Sequence, residues 1–200
     1  MSHVVIMQAF GAGFAQQAYR FALDNSSRFE PSLVGGKSAY DNTYRESLCL
    51  PNMLALEPEL RSVLLARAGE LASMLGVQKF VPNCVELELV AHSDGAYFRR
   101  HIDTFTGAKR DDQSERTLSA VYYFHAEPKQ FSGGLLCLYP LAPSRLTVPP
   151  KIEITPQRDM LVVFPSWIPH EVTHVSCPSR SIANARLSIN VWLRRERVSA

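Results

Sequence analysis

The chain reads as an α+β, mostly β domain: a double-stranded β-helix (jelly roll) of about eight antiparallel strands, with N-terminal helices packed on the outer sheet face. Three observations predict this. Helical apolar patterns are confined to the first part of the chain. After Gly76 the apolar period changes from about 3.6 to about 2. The remainder breaks into short runs punctuated by Gly, Pro and Asp.

Between Gly13 and Leu23, the residues Phe14, Ala18, Phe21 and Ala22 fall on one helical face. A second helix is predicted from Pro58, a residue suited to a first turn, with a stripe of Leu60, Val63, Leu64, Ala68, Leu71 and Leu75 that stops at Gly76. The intervening EPSLVGGKSAYDNTYRESLCLPN has turn formers and no helical period, so it is loop with a short strand over Ser47 to Leu50. Strands are expected at Val85 to Ala91, Tyr97 to Ile102, Thr117 to Phe124, Leu135 to Tyr139, Ile152 to Thr155, Met160 to Phe164, Glu171 to Val175 and Arg186 to Leu193. Gly133 and Gly134 shape a turn into one of them.

Alternation then assigns faces. In the last strand Arg186, Ser188, Asn190 and Trp192 share one side, and Leu187, Ile189, Val191 and Leu193 the other. The apolar side fits a core against helices. The polar side looks into a cavity, where an arginine needs an anion because an unpaired buried charge is costly. Tyr123, on the face with Thr117, Ser119 and Val121, points toward the same cavity.

With 200 residues, 46% hydrophobic and 20% charged, the chain is long enough for one sizeable core. One domain is expected over 1–200, with 1–82 a mainly helical support region and 83–195 the jelly-roll core. A net charge of +2 is too mild to argue for a nucleic-acid partner, and Arg194, Arg195 and Arg197 read as a solvated basic end. Cys49, Cys84, Cys137 and Cys177 are far apart with no CxxC, so they are expected to be free thiols in a reducing cytoplasm. The VVIM run after the first residues is too short for a signal segment, and nothing approaches a spanning length, so a soluble protein with no membrane partner is expected.

The chemistry concentrates in His101-Ile102-Asp103. Two positions apart on one strand, the imidazole and the carboxylate share a face. His170 follows downstream in PSWIPHEV, and Arg186 after it. Two imidazoles and one carboxylate on one side of a metal leave the opposite positions open, an arrangement suited to Fe(II) oxygenases. A binding module that holds a structural metal such as zinc is the competing reading from these residues.

Through GAYFRRHID, RTLSAVYYFHAEPKQFSGGLLCLYP, LVVFPSWIPHEVTHV and RLSINVW, the sequence resembles the Fe(II)- and 2-oxoglutarate-dependent dioxygenases, specifically their prolyl 4-hydroxylase-like group. The resemblance implies His101, Asp103 and His170 as ligands of Fe(II). It implies Arg186 as the residue gripping the distal carboxylate of 2-oxoglutarate, assisted by Ser188 and Tyr123. Arginine suits that role because its planar fork binds a carboxylate bidentately and keeps its charge. The implied reaction consumes O₂, decarboxylates 2-oxoglutarate to succinate and hydroxylates a substrate, with ascorbate as a possible reductant. The substrate expected is a prolyl residue in a protein or peptide, with a free amino acid or small metabolite as the alternative. An intact Asp103 argues for oxygenation rather than halogenation, and Trp192 stands where related nucleic-acid demethylases usually carry a second arginine.

Two features depart from the family pattern. His92 occupies a position where the family often has tyrosine, and SCPSRSIANA lengthens the connection to Arg186 and introduces Arg180 as a rival carboxylate binder. His92, Tyr97 and Trp192 are the candidate substrate contacts, and Leu136 is a further candidate for the pocket wall. His125 and His174 are read as loop or strand-end residues. The polar TFTGAKRDDQSER directly after Asp103 is a candidate lid.

Overall fold

The computed structural model describes residues 1–33, 41–106, 113–141 and 150–197. Its large sheet runs, in spatial order, β1 (Val4–Met7), β11 (Met160–Pro165), β7 (Ser114–Tyr123), β14 (Arg186–Glu196), β5 (Cys84–His92), β4 (Leu48–Leu50) and β2 (Glu30–Pro31). The small sheet runs β10 (Ile152–Ile154), β9 (Leu136–Leu138), β12 (His170–Val172), β6 (Tyr97–His101) and β3 (Arg45–Glu46). A separate ribbon pairs β13 (Val175–Ser176) with β8 (Ser132–Gly133). All pairings are antiparallel, and the expected strands supply the middle of both sheets.

Helices α1 (Gly11–Asp24) and α2 (Glu57–Met74) cover the outer face of the large sheet. Their buried residues Phe14, Ala18, Leu60, Leu64, Ala68 and Leu71 meet Leu187, Ile189, Val191 and Leu193 of β14 and Leu118, Ala120 and Tyr122 of β7 in one core cluster. Gly76, at φ +67, ends α2 because Gly76 N–H bonds Ser73 O and Val77 N–H bonds Ala72 O, a closure that needs a left-handed residue. A second cluster, with Val121, Tyr123, Leu136, Val162 and Phe164, fills the space between the sheets. Leu136 is therefore core rather than pocket wall.

Three local expectations are corrected. The described residues among the first 82 hold four short strands besides the helices, among them VVIM, whose pairing with β11 places Val4 opposite Val163. Four residues are too few to show a period, and the pairing is supplied by a strand far away in sequence. The expected strand over Glu171 to Val175 is split, since β12 bonds β6 and β9 while β13 bonds β8. Finally, Asp103 lies just past the end of β6, its backbone N–H bonded to Ser166 O at 2.9 Å. All four cysteines are free, and among the described residues no helix is long and apolar enough to cross a membrane.

Candidate metal and cosubstrate site

His101 closes β6 and His170 opens β12, and the two stand directly opposite in the register of the small sheet. His101 Nδ1–H donates to Arg99 O at 2.7 Å and His170 Nδ1–H donates to Ile168 O at 2.9 Å. Each backbone carbonyl fixes its imidazole as the tautomer whose Nε2 lone pair is free. Both Nε2 atoms face Asp103, His101 at 3.7 Å from Oδ1 and His170 at 3.4 Å from Oδ2. One donor atom from each of the three residues lies within 4.8 Å of the others, so two imidazole nitrogens and one carboxylate oxygen converge as a set able to hold a metal. That donor set fits a divalent iron with open positions.

The electrostatics keep two of these donors, His101 and Asp103, in the ligating state. His101 is pushed down to about 3, by burial first and then by His170, against the pull of Asp103. Burial opposes ionisation of Asp103, but His170, His101 and the hydroxyl of Ser119 more than offset it and hold the carboxyl below its ordinary value. Ser119 Oγ–H donates to Asp103 Oδ2 at 2.6 Å and lies 2.9 Å from Ser166 Oγ. Sequence reading did not single out Ser119, although it shares the inward face of β7 with Tyr123. The sequence shows that face but not which inward residue reaches a ligand.

On the large sheet, Arg186 of β14 is only 1% exposed. Its Nε–H donates to Gly134 O at 2.8 Å, its Nη1 to Ser188 Oγ and His92 Nδ1 at 3.4 Å each, and its Nη2 to Tyr123 Oη at 3.2 Å. Among the described residues no carboxylate pairs with it. A guanidinium has five N–H donors and no acceptor, so one Nη2–H remains. The hydroxyls of Ser188 and Tyr123 accept from Arg186, which leaves their own O–H free to donate, and burial raises the Tyr123 phenol so that it keeps its proton. The cluster therefore offers donors around an uncompensated positive charge, the chemistry that a carboxylate requires. Gly134 permits this placement, because a Cβ there would stand 2.7 Å from Arg186 Cδ.

The other candidates fall in different places. Arg180, with a side chain 79% exposed, faces Asp94 at the surface. His92, opposite Arg186 in the β5–β14 register and 2% exposed, belongs to the Arg186 cluster rather than to a solvent-facing strand end. Tyr97 does not line the cleft beside the metal ligands; its hydroxyl bonds Asn42 O at 2.7 Å and its ring stacks on His174. A register shift between β6 and β12 reverses the parity of β6, so Phe98 rather than Tyr97 lies against His101, at 3.7 Å between rings. His125 is buried near the end of β7, its Nδ1–H bonded to Ala126 O.

A cleft of about 1390 Å³ opens on His101 and Asp103 and is walled by Tyr44, Phe98, Phe105, Arg116 and Trp192. Arg116 lies 3.9 Å over the Trp192 ring and 4.7 Å over Phe105, and pairs with Glu86. Phe105 thus anchors the start of the candidate lid, whose residues 107–112 lie outside the described ones.

Comparison with known proteins bears on the family and the fold. The family model of the 2OG-Fe(II) oxygenase superfamily matches residues 87–194, more than half of the chain. An uncharacterised PKHD-type hydroxylase of Synechocystis sp. is 38% identical over 180 residues, which make up 88% of this chain and 57% of that protein. The chain thus spans little more than half the length of that curated relative. Among solved structures, a Pseudomonas putida prolyl-4-hydroxylase superposes with a TM-score of 0.63 at 23% identity, covering 97% of this chain and 92% of that one. A Trichoplax adhaerens prolyl hydroxylase, solved with a hypoxia inducible factor peptide fragment, gives 0.67 at 20% identity, covering 96% and 83%. With a jelly roll carrying a His–Asp–His set and a family match that spans it, the chain belongs to the 2OG-Fe(II) oxygenase superfamily.

Proposed function

We propose that this protein is an Fe(II)- and 2-oxoglutarate-dependent dioxygenase that hydroxylates a prolyl residue in a protein or peptide, with ascorbate as reductant and decarboxylation of 2-oxoglutarate to succinate. The observation that carries the reading is Arg186, a buried cation without a carboxylate partner among the described residues, on the large sheet facing His101, Asp103 and His170. The iron and its cosubstrate supply the oxidising chemistry when bound. His101, Asp103 and His170 hold the metal, and the Arg99 and Ile168 carbonyls keep both imidazoles turned toward it. Arg186, Ser188 and Tyr123 receive the distal carboxylate of 2-oxoglutarate and so fix the cosubstrate's direction between the sheets.

The peptide substrate is supported by two observations. Solved relatives of the same fold include a prolyl hydroxylase in complex with a peptide fragment. The cleft, at about 1390 Å³, exceeds the ~300–1,000 Å³ typical of small-molecule pockets and suits an extended chain. The four free cysteines support action in the reducing cytoplasm.

The test is succinate formation from 2-oxoglutarate with Fe(II), ascorbate and O₂, with proline-containing peptides and free amino acids in separate arms. The expected result is turnover stimulated by peptide, a gain of one oxygen atom on proline, and no turnover by Asp103→Ala. Absence of turnover in iron-loaded protein with every substrate class would favour a non-catalytic metal-binding module, and stimulation by a free amino acid alone would move the substrate to small metabolites.

A further inference from the structure

His92 is a buried imidazole whose two nitrogens are unequally satisfied. Its Nδ1 lies 3.4 Å from Arg186 Nη1, while its Nε2 is fully enclosed and has no hydrogen-bond partner. The guanidinium can only donate, so Nδ1 must be the acceptor and carry the lone pair. A neutral imidazole with its lone pair on Nδ1 carries its proton on Nε2. His92 therefore presents an N–H donor with nothing to receive it. An enclosed polar group without a partner is rare and costs roughly 1–3 kcal/mol, so an acceptor is called for at that point.

Three further facts narrow that acceptor. Burial, then Arg186 and Arg45, press the imidazole well below its ordinary value, so the neutral donor form persists. His92 stands directly across from Arg186 in the strand register, one residue beyond Ala91, whose side chain joins the helix-side core; alternation turns His92 to the other face, into the space between the sheets. There Arg186 Nη1 links His92 to Ser188 Oγ and Arg186 Nη2 reaches Tyr123 Oη; both hydroxyls accept from the guanidinium, which leaves their own O–H and one Arg186 N–H to donate. A ligand that ends this run of donors must bring acceptors only, in the form of a carboxylate.

We infer that His92 is a cosubstrate-positioning residue, its Nε2–H donating to a carboxylate oxygen of bound 2-oxoglutarate beside Arg186. This rests on the 2-oxoglutarate reading above and moves His92 from the substrate side of the site to the cosubstrate side. Arg186 sets the imidazole's tautomer through Nδ1, and the imidazole in turn adds a second donor direction that the guanidinium, tied back by Gly134 O, does not cover.

The experiment measures binding rather than turnover. Metal-loaded protein under anaerobic conditions is titrated with 2-oxoglutarate by calorimetry, in parallel with a metal titration of the same variants. His92→Phe, which keeps a planar ring and removes the N–H, is expected to weaken 2-oxoglutarate by tenfold or more with metal affinity unchanged. His92→Gln, which restores an amide N–H, is expected to recover part of the loss. Because the site is buried, a second measurement uses unaltered protein loaded with zinc and ¹⁵N-labelled at histidine, in which a ring N–H should move downfield on adding 2-oxoglutarate. Binding by His92→Phe within twofold of the unaltered protein, or no shifted histidine N–H, overturns the assignment. Failure of the unaltered, metal-loaded protein to bind 2-oxoglutarate at all overturns instead the functional reading on which it rests.

Discussion

Ser119 donates its hydroxyl to Asp103 Oδ2 at 2.6 Å, reaching from the large sheet to a candidate metal ligand that follows a strand of the small one. This bond occupies one carboxylate oxygen and leaves Oδ1, the oxygen facing His101, as the better ligand atom. Groups that orient a metal ligand typically contribute about 10–100-fold in affinity. Ser119→Ala should weaken Mn(II) or Fe(II) binding by about that factor, read by competition with a chelator. Unchanged affinity would mean that Asp103 is held by its backbone contact with Ser166 alone.

Arg186→Ala should raise the 2-oxoglutarate requirement by about two orders of magnitude or more, since breaking a buried charge pair costs roughly 3–5 kcal/mol. Arg180→Ala should leave it unchanged, because that side chain is solvated and faces Asp94. The decisive readout is the 2-oxoglutarate titration of each variant; a larger effect at Arg180 would reassign the carboxylate site.

Gly134 has φ +62, and an added Cβ would also meet Val175 Cγ2 at 2.9 Å. Gly134→Ala should therefore destabilise the fold by about 1–3 kcal/mol and displace Arg186, weakening 2-oxoglutarate while sparing the metal ligands. Thermal melts together with separate metal and cosubstrate titrations test this. Equal loss of both affinities would point to general unfolding instead.

The metal-free protein should lose stability in mild acid. His92, His101 and His125 all have lowered folded values, with burial the leading cause. Below about pH 6.5 the unfolded chain takes up protons that the folded chain refuses, so stability falls as pH falls, by at most about 1.4 kcal/mol per pH unit for each histidine. Urea melts at pH 7 and pH 5 should show the loss, and His125→Phe should reduce the slope by up to one histidine's share. A flat profile over that range would contradict the burial assigned to these rings.

Periodicity carried most of the architecture, because Leu187 to Leu193 and the α2 stripe each repeat often enough to declare a face. The candidate metal set was legible for a related reason: His101, Asp103 and His170 are residue types whose chemistry is visible without coordinates, and the structure brings them together. What escaped was set by pairing between distant segments. The role of Phe98 over Tyr97 depends on a register shift against β12, and the bond from Ser119 depends on how two sheets face each other. The partnership of His92 with Arg186 arises from strand register across ninety-four positions, which no local pattern encodes.

The division of the site between the sheets has a thermodynamic consequence. His101 and His170 sit on the small sheet, whereas His92, Tyr123, Arg186 and Ser188 sit on the large one, which alone is backed by the helices. A cosubstrate that touched both groups would act as a clasp between the two sheets. Each ligand would then lower the ordering cost met by the other, so on the proposed assignment metal and 2-oxoglutarate would strengthen one another's binding by the same factor, whichever arrives first.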